Sequence, residues 1–176
     1  MFDPPVKRVI ISEEKLKERI KSLGAQISRD YGGKDLVLVG VLTGSVFFLA
    51  DLSRAIELPV QLDFMAIGVY PNSPNNSAVK IVKDLNTDIA GKHVLIIEDI
   101  IRTGLTVAYL VQILSSRMPA SINICSLLFN PAEQLINLPM PYVGFEVSTE
   151  FLIGYGLDQN ECWRNLPYIA EIGQKA

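Results

Sequence analysis

The chain has 176 residues, 49% of them hydrophobic and 20% charged, which suits one domain with a sizeable core and not a disordered segment. Sixteen Lys and Arg against nineteen Asp and Glu leave a net charge of −3, and no run of like charges offers the basic face that nonspecific binding to nucleic acid or an anionic membrane needs. Two cysteines without a CxxC pair and a single histidine exclude both a zinc site of ordinary composition and a disulfide framework.

The first 14 residues lack the apolar run of a secretory signal. The longest uncharged stretch, residues 36–50, is shorter than the ~20 residues that span a bilayer and contains Gly40, Gly44, Thr43 and Ser45. The expectation is a cytoplasmic protein that uses neither membrane nor nucleic acid.

Ser12 followed by Glu13 and Glu14 is a helix start, with a hydroxyl for the orphan amides and acids for the positive end of the dipole. Leu16, Ile20, Leu23 and Ile27 then recur at helical spacing and predict an amphipathic helix over 13–30. After Gly32-Gly33, the apolar run 36–42 suits a strand buried on both faces. A helix over 45–56 follows, with Phe48, Leu52 and Ile56 on one side, and then a strand over 60–69.

Residues 71–77, rich in proline and asparagine, form a loop. Strand character returns over 81–85, a turn falls at 88–92, and a short apolar strand over 94–97 ends in Glu98-Asp99. A glycine-bearing loop over 102–106 opens a helix to about residue 116, and further strands are predicted over 121–129 and 142–147. Alternating strands and helices with continuous apolar strands predict an α/β fold with a mostly parallel sheet. In such sheets ligands sit beyond the carboxyl ends of the strands.

The strongest chemical signal lies at one such end. Four apolar residues lead to Glu98 and Asp99, and Arg102, Thr103, Gly104, Leu105 and Thr106 follow at the start of a helix. Free amides at a helix N-terminus suit a phosphate dianion, and Gly104 lets the backbone come close. Two adjacent carboxylates can accept hydrogen bonds from vicinal sugar hydroxyls or hold Mg²⁺. A capped helix after a core strand, its acids merely solvated, is the bland alternative. No GxxxxGK[ST], GxSxG, HExxH or helix-opening GxGxxG occurs, and His93, just before a buried strand, reads as a surface or capping residue.

The full motif resembles the signature by which type I phosphoribosyltransferases bind 5-phosphoribosyl-1-pyrophosphate (PRPP). Residues 39–52 (VGVLTGSVFFLADL) resemble the pyrophosphate-loop strand and helix of the hypoxanthine-guanine branch, and residues 144–165 (GFEVSTEFLIGYGLDQNECWRN) its purine-binding hood. Residues 71–77 fall where that family keeps a mobile lid. The match runs from about residue 36 to 172.

The resemblance implies a type I phosphoribosyltransferase fold as a single domain over 1–176, with a core of about 13–140 and a hood from the N-terminal residues and about 141–176. Thr103, Gly104, Leu105 and Thr106 would hold the 5′-phosphate of PRPP. Glu98 and Asp99 would meet the ribose hydroxyls, and Thr43-Gly44 the pyrophosphate, with a cis peptide expected between Leu42 and Thr43. Asp158, with Glu98 and Asp99, would hold Mg²⁺, and Arg164 would bind the leaving pyrophosphate. Phe151 would stack on the purine and Leu152 read its edge through the main chain. A homodimer or homotetramer is implied as well.

Four positions depart from the family pattern. Arg102 stands where an aspartate faces N7 of the base as general base, and a guanidinium has no lone pair to offer. Asn130 stands where a lysine donates to the purine O6. Val69 replaces a lid serine, and Thr43 replaces a lysine of the pyrophosphate loop. Transfer of ribose-5-phosphate from PRPP to hypoxanthine or guanine is therefore the first expectation. A weakened or inactive homologue that binds PRPP or nucleotide in a regulatory role, or an enzyme for another base, is the alternative.

Overall fold

The computed structural model describes residue 4 and residues 6–69, 79–148 and 151–173. Each predicted helix and strand is present within a few residues of its expected bounds: α1 Glu13–Asp30, β2 Leu36–Leu42, α2 Val46–Ala55, β3 Val60–Val69, β4 Val79–Lys83, β5 His93–Ile101, α3 Leu105–Ser115, β6 Ser121–Phe129 and β7 Tyr142–Glu146. Three short strands complete the fold: β1 Val6–Ile11, β8 Leu152–Ile153 and β9 Ile169–Ile172.

The central sheet has the order β4-β3-β2-β5-β6-β7, parallel throughout except for antiparallel β4 at its edge. The apolar runs of β2 and of the first half of β5 are explained by helices on both faces. Leu36, Leu38, Leu95 and Ile97 pack with α1 and α2, where Leu16, Leu23, Phe48 and Leu52 are fully buried. Val37, Val39, Val94 and Ile96, pointing the other way, meet Leu110 and Leu114 of α3. The helices are capped as expected at α1, where the Ser12 hydroxyl accepts from the Lys15 amide at 3.4 Å. Among the described residues no helix is long and apolar enough to cross a membrane. Cys125 and Cys162 are both free.

One boundary differs from expectation. The strand expected to stop at Ile97 continues to Ile101, because β5 loses β2 after the Gly40–Ile97 pair but keeps β6 as far as Phe129. The acid pair therefore lies on a strand with one side unladdered. Tyr142–Glu146, just past the expected core boundary near residue 140, pairs in parallel with β6 and closes the central sheet. The small antiparallel sheet, β1-β9-β8, joins the two ends of the chain.

Asp63, on β3 and buried, ties the β3–β4 edge to the segment after it. Its carboxylate accepts from the amides of Phe64 (2.7 Å), Asn86 (2.8 Å) and Thr87 (2.7 Å), with the Lys83 ammonium at 3.4 Å. Burial alone would raise its pKa, but these donors hold it down, from 3.8 to about 2. A depressed carboxylate contributes stability that is complete above its unfolded pKa and lost as pH falls through the folded one. The contribution, roughly 2 kcal/mol at 1.36 kcal/mol per unit, is thus expected to vanish between about pH 4 and pH 2. Denaturant melts of Asp63→Asn should fall below the native protein by about that amount at pH 7, with the gap closing over this acid range.

Candidate active site

Strand order places β3 on one side of β2 and β5 on the other, so the chain reverses its direction of winding between β2 and β5. Ligand crevices form at such switch points. A cavity of about 500 Å³ opens there, with Gly44 after β2, Ile67 and Gly68 on β3, and the end of β5 with its following loop in the wall.

Glu98 and Asp99 form part of that wall. Glu98 is only 6% exposed. Burial, and then the neighbouring Asp99, pushes its carboxyl well above the usual carboxylate range. Burial raises Asp99 as well, against the pull of the Ile100 amide, which donates to Oδ1 at 2.7 Å; Arg164 lowers it and Asp158 raises it.

The fit between Asp99 and the β2–α2 loop is tight: a Cβ on Gly44 would lie 1.6 Å from Asp99 Oδ2. The expected cis peptide between Leu42 and Thr43 is present in that loop.

The loop after β5 makes the other end. Gly104, left-handed at φ 81°, is the N-cap of α3, and the Thr103 carbonyl accepts from the amides of Leu135 and Ile136 at 3.1 and 3.2 Å. The Thr103 hydroxyl accepts from the Leu105 amide at 3.4 Å. Thr103, Gly104 and Thr106 line the cavity, while the Leu105 side chain is exposed and outside it.

Asp158 and Arg164 are not in the cavity wall, yet both are near enough to act on Asp99. The Arg164 Nη1 pairs with Asp158 Oδ1 at 2.8 Å and donates to the Gly156 carbonyl at 2.8 Å, and Nη2 reaches Glu161 at 2.9 Å. Gly156 in turn lies on the Gly44 backbone, so the hood approaches the pyrophosphate-loop position through two glycines. Thr43 is exposed and outside the wall. Phe151 is 45% exposed and precedes buried Leu152 of β8; neither lines the cavity. The expected lid, residues 71–77, and the Val69 side chain lie outside the described residues.

Asn130 is placed differently from expectation. It is 2% exposed and absent from the cavity wall. Its Oδ1 accepts from the Ala132 amide at 3.2 Å and its Nδ2 donates to Glu133 Oε1 at 2.5 Å, so it caps the 3-10 turn Pro131–Glu133. An asparagine before proline serves this well, because its carbonyl satisfies a first-turn amide while the proline has none to satisfy. In this conformation its amide is spent locally and is not turned to a base.

Glu133 is the wall residue that the motif reading did not single out. Its Oε1 lies 3.8 Å from Arg102 Nη1, which is also in the wall. The available signal was the Asn-x-x-Glu spacing of a capping box, which speaks of a turn and not of a cavity.

Residues 10–160 match the family model described as a phosphoribosyl transferase domain. The chain is 47% identical to a Haemophilus influenzae hypoxanthine phosphoribosyltransferase, over 93% of this chain and 94% of that protein. It is 42% identical to a Mycobacterium tuberculosis hypoxanthine-guanine phosphoribosyltransferase, over 98% and 89%. The crystal structure of a Staphylococcus aureus hypoxanthine phosphoribosyltransferase superimposes with a TM-score of 0.90 at 41% identity, over 96% of this chain and 92% of that one. With a family model matched over most of its length and relatives above 40% identical, the chain belongs to the phosphoribosyltransferase family.

Proposed function

We propose that the protein is a purine-salvage enzyme that transfers ribose-5-phosphate from PRPP to hypoxanthine or guanine, giving the nucleoside monophosphate and pyrophosphate. The observation that carries this reading is the convergence in one cavity of the acid pair Glu98-Asp99 and the Thr103-Gly104-Thr106 loop at a helix N-terminus. The 5′-phosphate fits the amides and hydroxyls of Thr103, Gly104, Leu105 and Thr106. Glu98 and Asp99 face the ribose hydroxyls and fix the sugar. The Gly44 backbone admits the pyrophosphate beside Asp99, and Arg164 offers it a guanidinium.

Among the described residues, no group of three or more His, Cys, Asp or Glu could hold a metal by itself. An adjacent carboxylate pair with a third carboxylate near Asp99 instead fits Mg²⁺, which commonly takes one or two carboxylates and completes its shell with substrate phosphate oxygens and water. Glu98, Asp99 and Asp158 would hold it, directly or through water. When bound it would neutralise charge that builds on the departing pyrophosphate.

Positioning does the remaining work: the phosphate loop and acid pair clamp the sugar from two sides, leaving the anomeric carbon open to the base. Phe151 supplies an exposed ring for stacking. The enzyme works in the cytoplasm as a homo-oligomer, a dimer or a tetramer.

Pyrophosphate release from PRPP and Mg²⁺ with hypoxanthine, guanine, xanthine and adenine in separate reactions tests the reading. Turnover with hypoxanthine or guanine, abolished by chelating Mg²⁺, is expected. Turnover with adenine alone, or none with any base, would overturn it.

A further inference from the structure

Forming the bond between a purine nitrogen and the anomeric carbon releases a proton from the base, and Arg102 cannot receive it. The described cavity wall holds three carboxylates: Glu98, Asp99 and Glu133. Glu98 and Asp99 are neighbours on β5, with Asp99 against Gly44. Glu133 comes from a different element, the 3-10 turn after β6, and stands beside Arg102. Its Oε1 is held by Asn130 at 2.5 Å, with the Arg102 guanidinium at 3.8 Å, while no described residue donates to Oε2. The turn thus presents a carboxylate that is anchored by one oxygen.

We propose that Glu133 is the proton acceptor for the incoming purine, with Asn130 as its positioning residue. This assignment rests on the phosphoribosyltransferase reading above. In the step, the base's N–H bond breaks, its electron pair stays in the ring, and the proton passes to Glu133 and from there to water. The attacking ring nitrogen uses its lone pair to bond the anomeric carbon, and the C–O bond to pyrophosphate breaks with its pair on the leaving oxygen. Glu133 also sets a carboxylate 3.8 Å from the Arg102 guanidinium, on the side of the cavity where the sugar becomes cationic as pyrophosphate leaves.

The test compares the native protein with Glu133→Gln and Glu133→Ala. Glutamine keeps an oxygen for Asn130 and so keeps the turn, but cannot take the proton. Glu133→Gln is expected to lower kcat with hypoxanthine by about 10²-fold, with the calorimetric Kd for PRPP and Mg²⁺ and the melting temperature close to native. Added formate should restore activity to Glu133→Ala by about tenfold or more, a response that a merely structural role would not produce. A kcat for Glu133→Gln within about threefold of native, or a Glu133→Ala loss that formate leaves untouched, would overturn the assignment. Absence of both PRPP binding and turnover in the native protein is a distinct result: it would sink the phosphoribosyltransferase reading itself and this assignment with it.

Discussion

Replacing Gly44 by alanine is expected to weaken PRPP binding by about 10²-fold while moving the melting temperature by only a few degrees. The new methyl would lie 1.6 Å from Asp99 Oδ2 and 2.6 Å from its Cγ. The nearest atom is the end of a side chain and not backbone, so the fold can yield by turning the carboxylate. On the proposed reading, turning it costs function, because Oδ1 is oriented by the Ile100 amide at 2.7 Å and the group sits beside Glu98, where sugar and metal are proposed to be held. Displacements on the order of 1 Å within a reacting constellation suffice for a loss of that size. For a domain of this length about 1 kcal/mol moves the melting temperature by roughly 2–4 °C, so the two readouts separate cleanly. Calorimetric titration with PRPP and Mg²⁺, beside a thermal melt, checks both. A native PRPP affinity in Gly44→Ala would show that Asp99 does not touch the ligand.

The central sheet was legible because each strand's burial is written in its composition. Residues 36–42 are covered on both faces and their run of apolar residues and glycine says so, while in 121–129 only the stretch from Ile124 on is buried, mostly apolar around Ser126. The small sheet was not legible for the opposite reason. In β1 (VKRVII) Lys7 and Arg8 point outward and pair with Glu171 at 3.0 and 2.8 Å, which breaks any alternation, and β8 is two residues long. β1 and its partner β9 lie more than 160 residues apart in the chain, beyond any local pattern.

The site divides in the same way. Glu98, Asp99, Thr103, Gly104 and Thr106 stand in one contiguous motif, and the fold brings them to one wall. Glu133 enters that wall from a separate turn, and nothing local in Asn-Pro-Ala-Glu distinguishes a cavity residue from a cap. The same spacing accounts for Asn130: its distance in sequence from Glu133 makes it a cap, and the cap occupies its amide.

Gly156→Ala should be the more damaging glycine substitution for the fold, destabilising it by about 3 kcal/mol or more. Two independent terms add. The residue sits at φ 103°, where an L side chain is strained, and its Cβ would fall 1.9 Å from the Gly44 carbonyl oxygen. Here the obstacle is backbone on both sides, so no rotamer change relieves it. Gly156 is also fixed at each end, its amide donating to the Arg164 carbonyl at 2.9 Å and its carbonyl accepting from Arg164 Nη1 at 2.8 Å. Movement of the turn therefore carries Arg164 with it, and Asp158 through the 2.8 Å ion pair. Denaturant melts should show the midpoint falling with little change in slope. At roughly 2–4 °C per kcal/mol the melting temperature should drop by about 6–12 °C. In the fraction that stays folded, kcat should fall more than PRPP affinity if, as proposed, Arg164 serves the leaving pyrophosphate, since the loop over 103–106 is untouched. An unfolding midpoint equal to the native one would mean that the turn is not seated on Gly44 in solution, and the coupling between hood and pyrophosphate loop would go with it.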